Sequence, residues 1–229
     1  MDHFATLGTA DLIALALMLG LWIGLGWVIE HPTSARPSVT VLMAQRRRDW
    51  MTVFVTRNPR IFDSQIVSSL RQGTAFFAST SIFAIGGVLA LMANPAPLSG
   101  VAAEILQTDT PILIWQAKLS LVLLFTVVSF LKFVWSNRVF GYCSVVMASV
   151  PDDPGDPTAY PLAAQAGELN VRAAMNFNRG LRAMYFALGA LAWLISPYAM
   201  ILSALTVGWT IWSREFRSVP RRILLGDIV

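Results

Sequence analysis

AMYFALGALAWLISPYAMILSALTVGWTIWS, residues 183–213, contains no Asp, Glu, Lys or Arg. As one helix it would run about 46 Å, well beyond the ~30 Å hydrocarbon core of a bilayer. Ser196-Pro197 divides it near the middle, and proline cannot donate the backbone bond that a helix interior requires. The stretch therefore reads as two antiparallel segments, about Met175–Ile195 and Tyr198–Ser213. The second is short, so it either crosses fully or forms one arm of a re-entrant hairpin.

Three further apolar runs lie upstream. Leu12–Ile29 is uncharged, about 27 Å long as a helix, and bracketed by Asp11 and Glu30. Gly73–Ala93 is closed by Asn94-Pro95-Ala96-Pro97, which cannot continue a helix. Ile112–Trp135 is apolar except for Gln116, Lys118 and Lys132. Its lysines lie near the ends, where long stems snorkel to the headgroups; Gln116 and Lys118 could otherwise line a pore. The helical pattern continues through Arg138 toward Met147 before Val150-Pro151-Asp152-Asp153-Pro154-Gly155-Asp156-Pro157 breaks it. The expected fold is thus all-α: a multi-pass membrane bundle of four to five transmembrane segments, about 11–30, 73–94, 112–136, 175–195 and 198–213. Residues 1–229 form a single membrane domain, with amphipathic segments at 39–72 and 158–179.

Composition agrees. Apolar residues make up 55% and charged residues 13%, against about 25% charged in a soluble domain. Mean hydropathy is +0.60. No basic region precedes the first apolar run, so no cleavable signal peptide is expected.

The arginines set the orientation. The N-terminal tail, the Asn94–Pro111 loop and the Ser196-Pro197 turn carry no Lys or Arg. Arg36, Arg46, Arg47, Arg48, Arg57, Arg60 and Arg71 crowd one loop; Arg138, Arg172, Arg179 and Arg182 surround the next; Arg214, Arg217, Arg221 and Arg222 follow the last apolar segment. The positive-inside rule places all of these in the cytoplasm of a bacterial inner membrane, with the N-terminus periplasmic and the C-terminus cytoplasmic.

Two cytoplasmic segments are amphipathic. In Val39–Thr56, the apolar residues Val39, Leu42, Met43, Trp50, Val53 and Phe54 recur at helical spacing, and Arg47, Arg48, Asp49 and Thr52 fill the other face. Arg46, Arg47, Arg48 and Trp50 suit contact with anionic headgroups, although the same helix could simply pack on the bundle. Asn58-Pro59 is expected to cap the next helix. In Leu162–Arg179 an apolar stripe opposes a polar one, with Glu168 and Arg172 placed as an i,i+4 pair.

Arg172, Asn176, Arg179 and Arg182, with Tyr185 a turn further on, are the most suggestive polar cluster. They form either an anion or headgroup site or, the reading we adopt, an arginine collar that fixes helix depth. Within the bundle, Asp63 and Glu215 are the expected partners for Arg182. Gly20 with Gly24, and Gly86 with Ala90, form small-xxx-small pairs that suit close helix contact.

Catalysis is not expected. Cys143 is the one cysteine, and His3 and His31 fall at opposite ends of the first apolar run. No metal, haem or other cofactor site follows from these, and no phosphate loop, nucleophile elbow or paired intramembrane carboxylates occur. Topology explains the positive charge, so nucleic acid is not implied.

Arg46–Trp50 (RRRDW), Asp63–Ala78 (DSQIVSSLRQGTAFFA) and Asn176–Trp193 (NFNRGLRAMYFALGALAW) together resemble the bacterial and plant membrane family called domain of unknown function five-nine-nine. The resemblance spans nearly the whole chain and departs mildly at Arg71-Gln72, where the family pattern has Arg-Asn. It implies the multi-pass topology and no activity. Two functions remain open: a self-associating structural subunit, alone or within a larger membrane complex, and an oligomeric channel or transporter for a small ion, by its arginines an anion.

Overall fold

The computed structural model describes residues 8–94 and 111–227. His3 and most of the Asn94–Pro111 loop lie outside them. Among the described residues every regular element is helical: α1 (Thr9–Glu30), α2 (Val39–Thr56), α3 (Ile61–Ala93), α4 (Ile112–Ala148), α5 (Ala159–Ala190), a 3₁₀ turn (Leu191–Leu194), α6 (Pro197–Phe216) and α7 (Val219–Leu225). Three of these are long and apolar enough to cross a membrane: α1, α3 and α4.

Local chemistry explains the helix ends. Ser38 caps α2 by accepting from Val41 N, and its hydroxyl donates to the Ile29 carbonyl 2.7 Å away, which ties the end of α1 to the start of α2. Ser196 caps α6 through Ala199 N, with Pro197 in the first turn. The short α7 was not foreseen; Ser218 starts it and Gly226, at φ 82°, ends it. Asn58 does not cap α3, whose N-cap is Arg60. The Arg60 guanidinium donates to the carbonyls of Val55, Val150 and Pro151. Those tertiary bonds place the helix start two residues later than local propensity suggests.

Helices α4 and α5 form the most extensive pair, followed by α3 with α4; α2 lies across α5, and α1 lies beside α6. The α4–α5 contact is close because Gly180 faces the ring of Phe133. Two buried serines of α4 fix its register: Ser129 Oγ donates to Gly180 O at 2.9 Å and Ser136 Oγ to Ala173 O at 2.7 Å. Helix α6 runs parallel to α1. Gly208 faces Leu21 and Leu25, and Trp212 and Phe216 share a hollow with Trp27 and His31. The main core gathers around Met18, Phe125, Phe186 and Met200; a second one packs α2 on α4 and α5 through Met51, Phe54, Cys143 and Ala163.

The hidden face of α2 is rotated from the one the periodicity indicates. Thr40, Met51, Phe54 and Val55 are buried and Ala44 and Arg47 half-buried, whereas Met43 and Val53 are exposed. The cause is polar: Arg47 reaches Asn170 Oδ1 on α5, which turns a basic residue inward.

Candidate functional site

Helix α1 ends on Glu30, and the antiparallel α5 brings Arg179 and Arg182 to it. Arg179 Nε donates to Glu30 Oε1 at 2.9 Å and its Nη2 to Oε2; Arg182 Nη2 also donates to Oε1. The Glu30 and Arg182 side chains are 10% and 8% exposed, and Arg179 is 39% exposed. One carboxylate thus bridges two guanidinium groups, leaving the trio with a single net positive charge. Of the partners expected for Arg182, Asp63 does not reach it and Glu215 attracts it only through space; the direct partner is Glu30. Both other acids are already engaged. Asp63 Oδ1 accepts from Trp50 Nε1 (2.6 Å) and Arg57 Nη1 (2.5 Å). Glu215 accepts from the backbone N–H and the hydroxyl of Thr40, each at 2.9 Å.

The remaining members of the α5 stripe diverge. Asn176 is buried and donates to the Arg172 carbonyl, while Arg172 itself is exposed. Tyr185 turns to α6, where Arg214 Nη1 donates to its hydroxyl at 2.6 Å. Glu168 pairs with Arg48 on α2, and Arg172 acts on it only through space. The hydrogen bond from Arg48 holds the Glu168 carboxyl below its ordinary range.

The basic-Trp element bonds other helices at three of its four positions, Arg47 and Trp50 half-buried and Arg48 at the surface. Arg47 bonds Asn170, Arg48 pairs with Glu168, and Trp50 bonds Asp63; Arg46 stays exposed beside Asp49 at 3.5 Å. Burial pushes the Arg47 guanidinium below its ordinary value. A hollow of about 230 Å³ between α2, α5 and α6 is lined by Thr40, Arg47, Asn178 and Glu215. Thr40 bonds Glu215 and Asn178 within it, and Arg47 bonds Asn170 beside it, so these groups join helices.

The opposite end of α1 is held as well. Asp11 accepts from Trp193 Nε1 at 2.7 Å. Lys118 does not snorkel outward: it is buried, lies 5.5 Å from the Trp115 ring centroid, and is attracted by Asp11. Sequence reasoning treated Asp11 and Glu30 as brackets of an apolar run. Their signal as binding residues was their position, one acid at each end of a helix with few other polar groups.

The glycine pairs singled out from sequence are not where the helices touch. A Cβ at Gly20, Gly24, Gly86 or Gly87 would meet nothing within 4 Å, whereas Gly167, Gly180, Gly189 and Gly208 face neighbouring helices.

This is an all-helical bundle with three apolar helices of membrane-crossing length, which suggests a membrane location. The chain belongs to the family described as Protein of unknown function, DUF599, whose model matches residues 13–220. No curated protein and no solved structure matches it.

Proposed function

We propose that the chain is a non-enzymatic subunit that self-associates in the bacterial inner membrane, where it serves as a structural or interaction component. In this reading it crosses five times, with the N-terminus periplasmic and the C-terminus cytoplasmic. Support for the fifth crossing comes from α6, which runs parallel to α1 with 20 residues against 22. It starts four residues after Trp193, which bonds Asp11, and ends at Phe216, next to Glu215, which bonds Thr40 beyond Glu30. A helix that accompanies α1 over this length crosses wherever α1 crosses.

The observation that carries self-association is the open glycine pairs. Helix α3 packs chiefly on α4, and its other side shows Ser79, Thr80, Gly86, Gly87 and Phe83, the last 80% exposed. Helix association in lipid depends on small residues that let backbones approach, and these positions are free for a second copy. An anion channel would draw on Arg179 and Arg182, but Glu30 offsets one of their two charges.

Two measurements test the reading. In a Cys143→Ala background, cysteines at the exposed positions 46 and 217 should resist an impermeant maleimide added from the periplasm, and one at 94 should react. Labelling at 46 or 217 would overturn the orientation. In lipid nanodiscs the parent should be oligomeric, and Gly86→Leu/Gly87→Leu should weaken association at least about tenfold, the equivalent of ~1.4 kcal/mol. A parent that stays monomeric at every concentration removes the self-association proposal, and an ion current from purified parent in planar bilayers replaces it with the channel.

A further inference from the structure

Between the lower parts of α3 and α4 lies a second groove, of about 480 Å³, lined by Ser64, Ser68, Arg71, Gln72, Asn137 and Ser144 with Ala75 above. No acidic side chain lines it. Its cation is Arg71, which is exposed and whose guanidinium no acceptor among the described residues engages. Many other arginines have a partner: Arg46, Arg48, Arg57, Arg60, Arg179 and Arg182 meet carboxylates.

The groove's geometry keeps that guanidinium available. A Cβ at Gly141 would lie 4.0 Å from Arg71 Cζ and Nη2, an ordinary contact distance, so this position borders the charged group. Asn137 Nδ2 spends its hydrogens on the Arg71 carbonyl and Thr74 Oγ1, which fixes α3 against α4. The Ser64 and Ser144 hydroxyls donate to carbonyls of their own helices. Ser68 instead accepts from Gln72 Nε2 at 3.5 Å, which leaves its own O–H and a second Gln72 N–H to donate. A planar five-donor fork flanked by two neutral donors, with no competing carboxylate, matches a phosphate group.

The groove's depth follows from the membrane reading above. Arg71-Gln72 immediately precede the apolar run that begins at Gly73. On α4, exposed Trp135 and Tyr142 lie to either side of Asn137, as aromatic residues do at the membrane–water interface. One turn toward the apolar part, Phe76 and Val134 are exposed, where acyl chains would lie.

We propose that this groove binds a phosphate anion through Arg71, Ser68 and Gln72, the phosphate being carried by a lipid headgroup or free in the cytoplasm. The test uses the full chain purified in neutral detergent. Phosphatidylglycerol and inorganic phosphate are titrated separately, with bound lipid counted by native mass spectrometry and the unfolding midpoint followed in parallel. Parent protein should bind phosphatidylglycerol at least about tenfold more tightly than Arg71→Gln, as loss of a charge-assisted pair implies. Gly141→Leu, which sets a side chain against the Arg71 guanidinium and keeps the charge, should weaken binding similarly, while Arg222→Gln, at an exposed arginine away from the groove, should bind as the parent does. The same pattern with inorganic phosphate, and none with the lipid, assigns the site to free phosphate. Equal binding by parent, Arg71→Gln and Gly141→Leu overturns the proposal, as does an equal loss in Arg222→Gln, which would mark diffuse charge attraction.

Discussion

Replacing Glu30 by alanine is expected to lower the unfolding free energy by about 3–5 kcal/mol, the range for removing one partner of a buried ion pair. The loss arises because Arg182, 8% exposed, and Arg179 beside it would be left facing each other without the carboxylate that now bridges them. Glu30→Gln separates charge from geometry: the amide can still accept, so a loss as large as that of alanine assigns the effect to charge. Arg182→Leu should cost less, because Glu30 keeps Arg179. Glu30→Leu/Arg182→Leu should recover a good part of the single Glu30 loss, since apolar replacement of a buried pair is often close to neutral. Arg179 is then the residual cost, and at 39% exposure it can turn to solvent. Denaturant unfolding of the parent, Glu30→Leu, Arg182→Leu and the double variant in one detergent yields the coupling energy. A Glu30→Ala variant within about 0.5 kcal/mol of the parent, the range of an ordinary surface change, would falsify the idea that this trio clamps α1 to α5.

The apolar runs made α1, α3 and α4 legible, because composition alone decides whether about 20 residues suit hydrocarbon. Continuation of α4 to Ala148, and the single helix α5 from Ala159 to Ala190, were legible too, since α4 contains no proline and Pro161 of α5 falls in the first turn, where proline is tolerated. What stayed hidden depends on pairing between distant residues. Nothing local tells that Glu30 joins Arg182, 152 positions away, or that Arg47 turns inward to Asn170. An arginine scores as polar in any periodicity count, so the buried face of α2 came out rotated. The acid at the end of α1 looked like a boundary marker because boundary markers and ion-pair partners occupy the same places. The candidate cluster on α5 was found by its arginines, but the carboxylate that neutralises it sits on another helix.

The second large effect is expected at Gly180. A Cβ there would lie 2.7 Å from Phe133 Cε1, 2.9 Å from Cδ1 and 3.1 Å from Cζ. Phe133 is fully buried, its ring stacked on Phe77 with centroids 5.3 Å apart and tilted against Phe177 at 5.4 Å, so it has little space to retreat. Nor can the two helices slide, because the Ser129 and Ser136 hydroxyls hold backbone carbonyls of α5. Alanine would gain up to about 1 kcal/mol of helix propensity over glycine. Overpacking in a tight core costs about 1–3 kcal/mol, and here the contact distances put it toward the upper end. Gly180→Ala should therefore lower the thermal midpoint. Gly24→Ala, where a Cβ meets nothing within 4 Å, should leave it unchanged or raise it. The cause is separable through Phe133→Leu, which is destabilising alone because it shortens a buried ring, yet opens the space that alanine needs. In that background Gly180→Ala should cost much less than in the parent, giving a positive coupling between the two sites. Parallel melts of the five proteins decide it. If Gly180→Ala melts at or above the parent, α4 and α5 have room to separate, and the close approach at Phe133 does not set their spacing.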